Sequence, residues 1–194
     1  AADAGALEAA VRVMGVHGAH AAVQEKACAA IGMICFGTDA AGLQRKQRAA
    51  DAGALHAAVR AMCEHTAHAG VQEKACAAIG MICFGTDAAG LQCRQRAADV
   101  GALEAAVRAM GEHVGHAGVQ EKACAAFVMI CYGSDAAGLQ CRLRAVEAGA
   151  LEAAVRAMGE HGAHAGVQEE ACGAIINICV GTDASGRQRK QRAA

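Results

Sequence analysis

From Val23 to Gln44 the chain reads VQEKACAAIGMICFGTDAAGLQ, and the same 22 residues return from Val71 to Gln92. The offset is 48 residues, and it divides the chain into 1–48, 49–96, 97–144 and 145–192, with Ala193 and Ala194 beginning a further unit. Identity of this degree implies a recent duplication or a deliberately built array. Repeats of 20–50 residues bury their apolar faces against their neighbours, so 194 residues is a repeat count and the chain reads as one repeat domain, 1–194.

Each unit carries three helical segments. Thr38-Asp39 offers an N-cap, and a basic amphipathic run from Ala40 to Asp51 ends at Gly53. A second run from Ala54 to Cys63 places Leu55, Ala58, Val59 and Met62 on one stripe, at i, i+3, i+4 and i+7. A third, from about Gly70-Val71 to Phe84-Gly85, repeats Val71, Ala75, Ala78, Ile79, Ile82 and Cys83 at helical spacing. Its uncharged core, Ala75 to Thr86, is too short to span a bilayer, which argues against membrane insertion. Period-2 alternation of β-branched residues is missing, and Ala, the best helix former, fills 53 of 194 positions, so the fold class is all-α.

Composition narrows the partners. There is no Trp, one Tyr and three Phe, too few for base-stacking platforms, and a net charge of −1 lacks the basic excess of a phosphate binder. Nucleic acid is therefore an unfavoured partner.

The turn between the first and second helices reads DAGAL at 3–7 and 51–55, DVGAL at 99–103 and EAGAL at 147–151. The third helix holds AIGMI, AIGMI, AFVMI and AIINI. These words resemble the armadillo repeat, in which a left-handed Gly ends helix 1 and lets the chain turn sharply into helix 2. HEAT repeats are two-helix relatives that lack this glycine turn. The resemblance implies a right-handed superhelical solenoid of four three-helix armadillo-like repeats. It also implies a concave groove lined by helix 3, where peptide-binding members carry an Asn that bonds an extended peptide, often with a Trp one turn earlier. Here the Asn position holds Met33, Met81, Met129 and only then Asn177, and the Trp position holds Ala29, Ala77, Ala125 and Gly173.

The groove floor expected from stacking is Met33, Met81, Met129 and Asn177, with Lys26, Lys74, Lys122 and Glu170 one to two turns away. Methionine is flexible and polarisable, so such a floor suits a partner helix or loop better than an extended backbone. The competing reading is that these methionines pack between repeats. The basic clusters Arg45-Lys46-Arg48, Arg94-Arg96, Arg142-Arg144 and Arg187-Arg189-Lys190-Arg192 read as a solvated helix face.

Eight of the 11 Cys fall in i, i+7 pairs on helix 3: Cys28/Cys35, Cys76/Cys83, Cys124/Cys131 and Cys172/Cys179. Seven helical residues rise about 10.5 Å, too far for a disulfide or one zinc ion, so these read as buried thiols in a reducing cytoplasmic or nuclear compartment. The pairs His17/His20, His65/His68, His113/His116 and His161/His164 sit between helices 2 and 3, where the C-terminal helix dipole favours His without a metal. No phosphate loop, nucleophile elbow or HExxH is present, and four near-equal copies do not build one asymmetric active site. Neither catalysis nor a cofactor is implied.

Val16 stands where later units have Glu64, Glu112 and Glu160, while Arg187 replaces Leu43, Leu91 and Leu139. The expectation is an apolar N-terminal face, open to a stacking partner or marking a fragment, and a more polar last unit. The chain thus reads as a non-secreted protein-interaction scaffold. The alternative is a structural subunit within a larger assembly, or an engineered array with no natural ligand.

Overall fold

The computed structural model describes residues 5–133, 135–181 and 184–193. Twelve helices and no strand occur among them, and they fall into three sets spaced by the 48-residue period. The first set is α3 (Ala40–Asp51), α6 (Ala88–Asp99), α9 (Ala136–Ala148) and α12 (Ala184–Ala193). The second is α1 (Ala6–Val16), α4 (Ala54–Glu64), α7 (Ala102–Glu112) and α10 (Ala150–Glu160). The third is α2 (Ala21–Ile34), α5 (Ala69–Cys83), α8 (Ala117–Ile130) and α11 (Ala165–Cys179).

The boundaries follow from local chemistry. Asp39, Asp87 and Asp135 cap α3, α6 and α9, each carboxylate accepting from a glycine N–H three residues on, at 2.9, 2.9 and 2.7 Å. Such a cap contributes about 1 kcal/mol to each helix. Gly53, Gly101 and Gly149 have φ of 83°, 82° and 87°, a left-handed conformation that a Cβ disfavours, and there the chain turns from the first set into the second. The glycine turn expected from the sequence is thus present three times, and Gly5 (φ 64°) opens α1 in the same way. Asp3 of the first DAGAL word lies outside the described residues, as do the side chains of Ser185 and Arg192.

Helices of one set pack on each other in series: α2 on α5, α5 on α8 and α8 on α11, with parallel series of α1, α4, α7 and α10 and of α3, α6 and α9. The third set forms the centre. In α5 the predicted residues Val71, Ala75, Ala78, Ile79, Ile82 and Cys83 are all buried, and in α4 so are Leu55, Ala58 and Met62. Val59 is only half-buried against the core. Small residues set the approach of these helices. A Cβ on Gly32 would sit 3.6 Å from the Ala78 Cα, and one on Gly80 would sit 3.7 Å from the Ala126 Cα. Where that glycine position enlarges to Val128, Gly173 stands at the register of Ala77 and Ala125, and a Cβ there would come within 3.1 Å of a Val128 methyl.

Two polar ladders run through this packing. Gln24, Gln72, Gln120 and Gln168 each donate their amide to two carbonyls at the end of the preceding helix of the second set, for example Gln72 to Met62 at 3.0 Å and His65 at 2.8 Å. These are the carbonyls that a helix C-terminus leaves without partners. The second ladder joins successive repeats. His65, His113 and His161 approach the carbonyls of Gly18, Thr66 and Val114 at 2.6, 2.7 and 2.7 Å. A carbonyl only accepts, so each Nε2 carries the proton. The other histidines of the pairs begin the third-set helices: His68, His116 and His164 accept through Nδ1 from the N–H groups of Val71, Val119 and Val167.

Candidate functional site

The four residues expected to floor a groove do not form a uniform row. Met33 is 74 % exposed, whereas Met81 and Met129 are half-buried and packed against the core. Asn177 is half-buried as well and donates its amide to the Val128 carbonyl of the preceding repeat at 2.9 Å. The flanking charges differ too. The Lys26 side chain is 83 % exposed and lies 3.8 Å from Glu25, while Lys74 and Lys122 hold Glu73 and Glu121 at 2.5 Å. Glu170 takes the register position of these lysines. Partial burial raises its pKa, and Lys122 on the neighbouring helix opposes that shift.

A cavity of about 340 Å³ opens where the third-set helices end. Phe84, Val128, Met129, Tyr132 and Asn177 line it, with Leu43 from α3 at its edge. Two of the expected groove residues, Met129 and Asn177, are therefore brought together, whereas Met33 and Met81 are not part of this wall. The aromatics were missed by sequence reasoning. Their signal was a shared position, since Phe36, Phe84 and Tyr132 each precede the glycine that follows helix 3. Phe36 and Tyr132 are exposed, and Phe84 is 39 % exposed.

The basic clusters correct the expectation of a solvated face at one residue of each, while Arg96, Arg187 and Lys190 are exposed as expected. Lys46, Arg94, Arg142 and Arg189 are only 2–4 % exposed. They reach across to the turns that follow the third-set helices. The Lys46 ammonium donates to the Gly37 carbonyl at 2.6 Å, and Arg94 and Arg142 donate to the Gly85 and Gly133 carbonyls. Arg45 donates to Ile34 and Phe36 at 2.7 and 2.8 Å, and Arg189 does the same to Ile178 and Val180 at 2.8 and 2.7 Å. The physical reason is that helix C-terminal carbonyls concentrate negative charge and unmet acceptors, which a buried cation satisfies.

The residue pairs alternate accordingly. Units with Arg at the first position (Arg45, Arg189) have Lys at the next (Lys46, Lys190), and units with a buried Cys there (Cys93, Cys141) have Arg (Arg94, Arg142). One guanidinium thus serves each turn. The same cations underlie the cavity's aromatics one repeat on: the Lys46 ammonium is 4.6 Å from the Phe84 ring centroid and the Arg94 guanidinium 5.8 Å from that of Tyr132. The arrangement is a braced apolar wall with cations behind it. No charged side chain lines the cavity among the described residues, so its chemistry favours a neutral, apolar occupant.

The thiols stand apart from this wall except for Cys83. Cys28, Cys76 and Cys124 are buried, and loss of hydration pushes each up to about 12. At the same register Cys172 is exposed, and Cys63 is exposed on α4, where Arg108 of α7 donates to its sulfur at 3.1 Å. The reading of helix 3 cysteines as core thiols therefore fails at Cys172 and holds only in part at the half-buried Cys179. Among the described residues no His, Cys, Asp or Glu cluster has the geometry to hold a metal ion, and no helix is long and apolar enough to cross a membrane. No family model, curated protein or solved structure matches the sequence.

Proposed function

We propose that the chain is a non-catalytic armadillo-like solenoid, its four units wound as a right-handed superhelix, that captures an apolar helix or loop of a partner protein on its helix 3 face. The observation that carries this reading is the braced cavity of about 340 Å³, with Phe84, Met129, Tyr132 and Asn177 in its wall. An aromatic surface beside a half-buried methionine, held in place by buried cations, is an adaptable apolar contact on a rigid support. Exposed Met33 and Phe36 extend apolar surface in the repeat before it.

A displayed library of amphipathic helices and constrained loops supplies the probe. Binders selected on the protein should lose at least about tenfold in affinity to Phe84→Glu and Tyr132→Glu, consistent with truncation of aromatic anchors, while the far-ultraviolet circular dichroism stays helical. These positions test the idea better than Met81, which packs on the core. Binders indifferent to both substitutions would sink the reading. The second reading, a structural subunit of an assembly, is supported by the apolar surface that α1, α2, α10 and α11 leave uncovered.

A further inference from the structure

Three residues that break the repeat gather in one wall. The position held by Gly32 and Gly80 becomes Val128, that of Phe36 and Phe84 becomes Tyr132, and that of Met33, Met81 and Met129 becomes Asn177. All three new side chains line the cavity of about 340 Å³ at the ends of the third-set helices. They come from two units and meet through the stacking of α8 and α11. Asn177 brings an amide to this wall. The Val128 carbonyl only accepts, so the nitrogen of the Asn177 amide faces it, at 2.9 Å, and the amide is held in one orientation. Its Oδ1 makes no hydrogen bond among the described residues and is left as an acceptor in a mainly apolar wall. An occupant with a single donor satisfies it.

Charge decides what else the occupant carries. Phe84 and Tyr132 each have a cation against the ring, the Lys46 ammonium at 4.6 Å and the Arg94 guanidinium at 5.8 Å from the centroid. Both cations are buried, and neither lines the cavity. A ring whose π density is drawn towards a cation on one face is a poor receptor for a second cation on the other, and a better one for an electron-rich ring. Lysine, arginine and methylated ammonium groups are thereby disfavoured. Asp39 and Asp87 follow the rim residues Thr38 and Thr86, so a carboxylate would meet like charge.

A volume of about 340 Å³ is at the low end of the roughly 300–1,000 Å³ of ligand sites, which is room for one large side chain. Tryptophan matches each of these conditions: its ring is large, neutral and electron-rich, and its indole N–H donates without accepting. We infer that the cavity receives the indole of a tryptophan on the partner helix or loop, with the N–H donating to Asn177 Oδ1 and the ring lying against Tyr132 and Phe84. The inference rests on the reading of the helix 3 face as a partner-binding surface, and it names the anchor that this surface takes.

The chain contains no Trp, so indole fluorescence in a mixture reports the probe alone. N-acetyl-L-tryptophanamide titrated with the protein should show a saturable shift of emission to shorter wavelength, with a dissociation constant of about 0.1–1 mM, the range open to so small a ligand. Tyr132→Glu should abolish the shift. Asn177→Met installs the residue found at this register in the other units. It should weaken this probe about tenfold and leave its 1-methylindole analogue, which has no donor, unchanged. A merely structural role for Asn177 would move both probes alike. The absence of a saturable shift, equal affinity of the parent protein for the two probes, or displacement of the indole by N-acetyl-trimethyl-lysine amide at lower concentration overturns the assignment. Selected helices or loops that respond to Tyr132→Glu but contain no Trp overturn it as well, while the partner-binding reading stands. Binders indifferent to both Phe84→Glu and Tyr132→Glu sink the two together.

Discussion

Gln72 donates its buried side-chain amide to the carbonyl of Met62 at 3.0 Å, and the equivalent bond recurs at Gln24, Gln120 and Gln168. The same nitrogen also reaches His65 at 2.8 Å. One side chain therefore fixes how the second helix of a unit ends and how the third begins. Gln72→Leu keeps the volume roughly constant but leaves two carbonyls without their donor, and a loss of about 1–3 kcal/mol is expected. Urea denaturation followed by circular dichroism measures it. A change within error would show that water replaces the amide.

The alternation of Arg-Lys and Cys-Arg pairs predicts non-additivity. Arg94→Lys alone shortens the donor that reaches the Gly85 carbonyl, and Cys93→Arg alone forces a second guanidinium beside the first. Together they recreate the Arg45-Lys46 arrangement. A double-mutant cycle should give a favourable coupling of about 1–3 kcal/mol. Additive single effects would mean that the pair is not a unit.

A second cycle addresses packing between α8 and α11. Gly173→Ala gains helix propensity of about 1 kcal/mol, but its methyl meets Val128 at 3.1 Å. The substitution should be neutral or destabilising in the parent and stabilising by about 1 kcal/mol when combined with Val128→Ala. Thermal melts of the four proteins decide the sign.

Thiol reactivity should separate into classes. Burial raises the pKa of Cys28, Cys76 and Cys124 to about 12 and of Cys35 to about 11, so almost no thiolate exists at these sites at pH 8. Cys63 and Cys172 are exposed. Iodoacetamide labelling with mass-spectrometric mapping should modify Cys63 and Cys172 first under native conditions. Rapid labelling of Cys76 would contradict the packing of α5 between α2 and α8.

Glu170 provides a pH dependence. Its pKa is raised in the folded state, chiefly by burial, so the native protein binds its proton more tightly than the unfolded chain does. The carboxylate therefore opposes folding above the usual glutamate range, and that penalty fades as pH falls through the raised pKa towards the ordinary glutamate value of 4.5. Glu170→Gln should be more stable than the parent at pH 7, and the difference should disappear in acid. A constant difference across pH would assign the effect to packing instead.

The helices were legible because their signals are local: an aspartate cap, a glycine turn and an apolar stripe each lie within one unit. The wall of the cavity was not legible. Lys46 and Phe84 are separated by 38 positions and meet only because α3 lies beside the turn that follows α5. Helical periodicity placed Arg94 on a polar face, but the carbonyls that draw it inward belong to another element. The methionines were read as equivalent because the repeat made them so in sequence. Their environments differ because Met33 stands in the first unit, whereas Met81 and Met129 are flanked by repeats on both sides.

The hydrogen bonds that cross between units have a short reach along the chain: the histidine bonds span 47 positions and the bond from Asn177 to Val128 spans 49. Each unit is thus tied to the one made just before it. A polypeptide wired in this way has low contact order and closes no large loop as it folds. During synthesis each new helical triple finds a completed template already waiting, and under mechanical load the same wiring lets the structure unravel from an end, one triple at a time, without first breaking its middle.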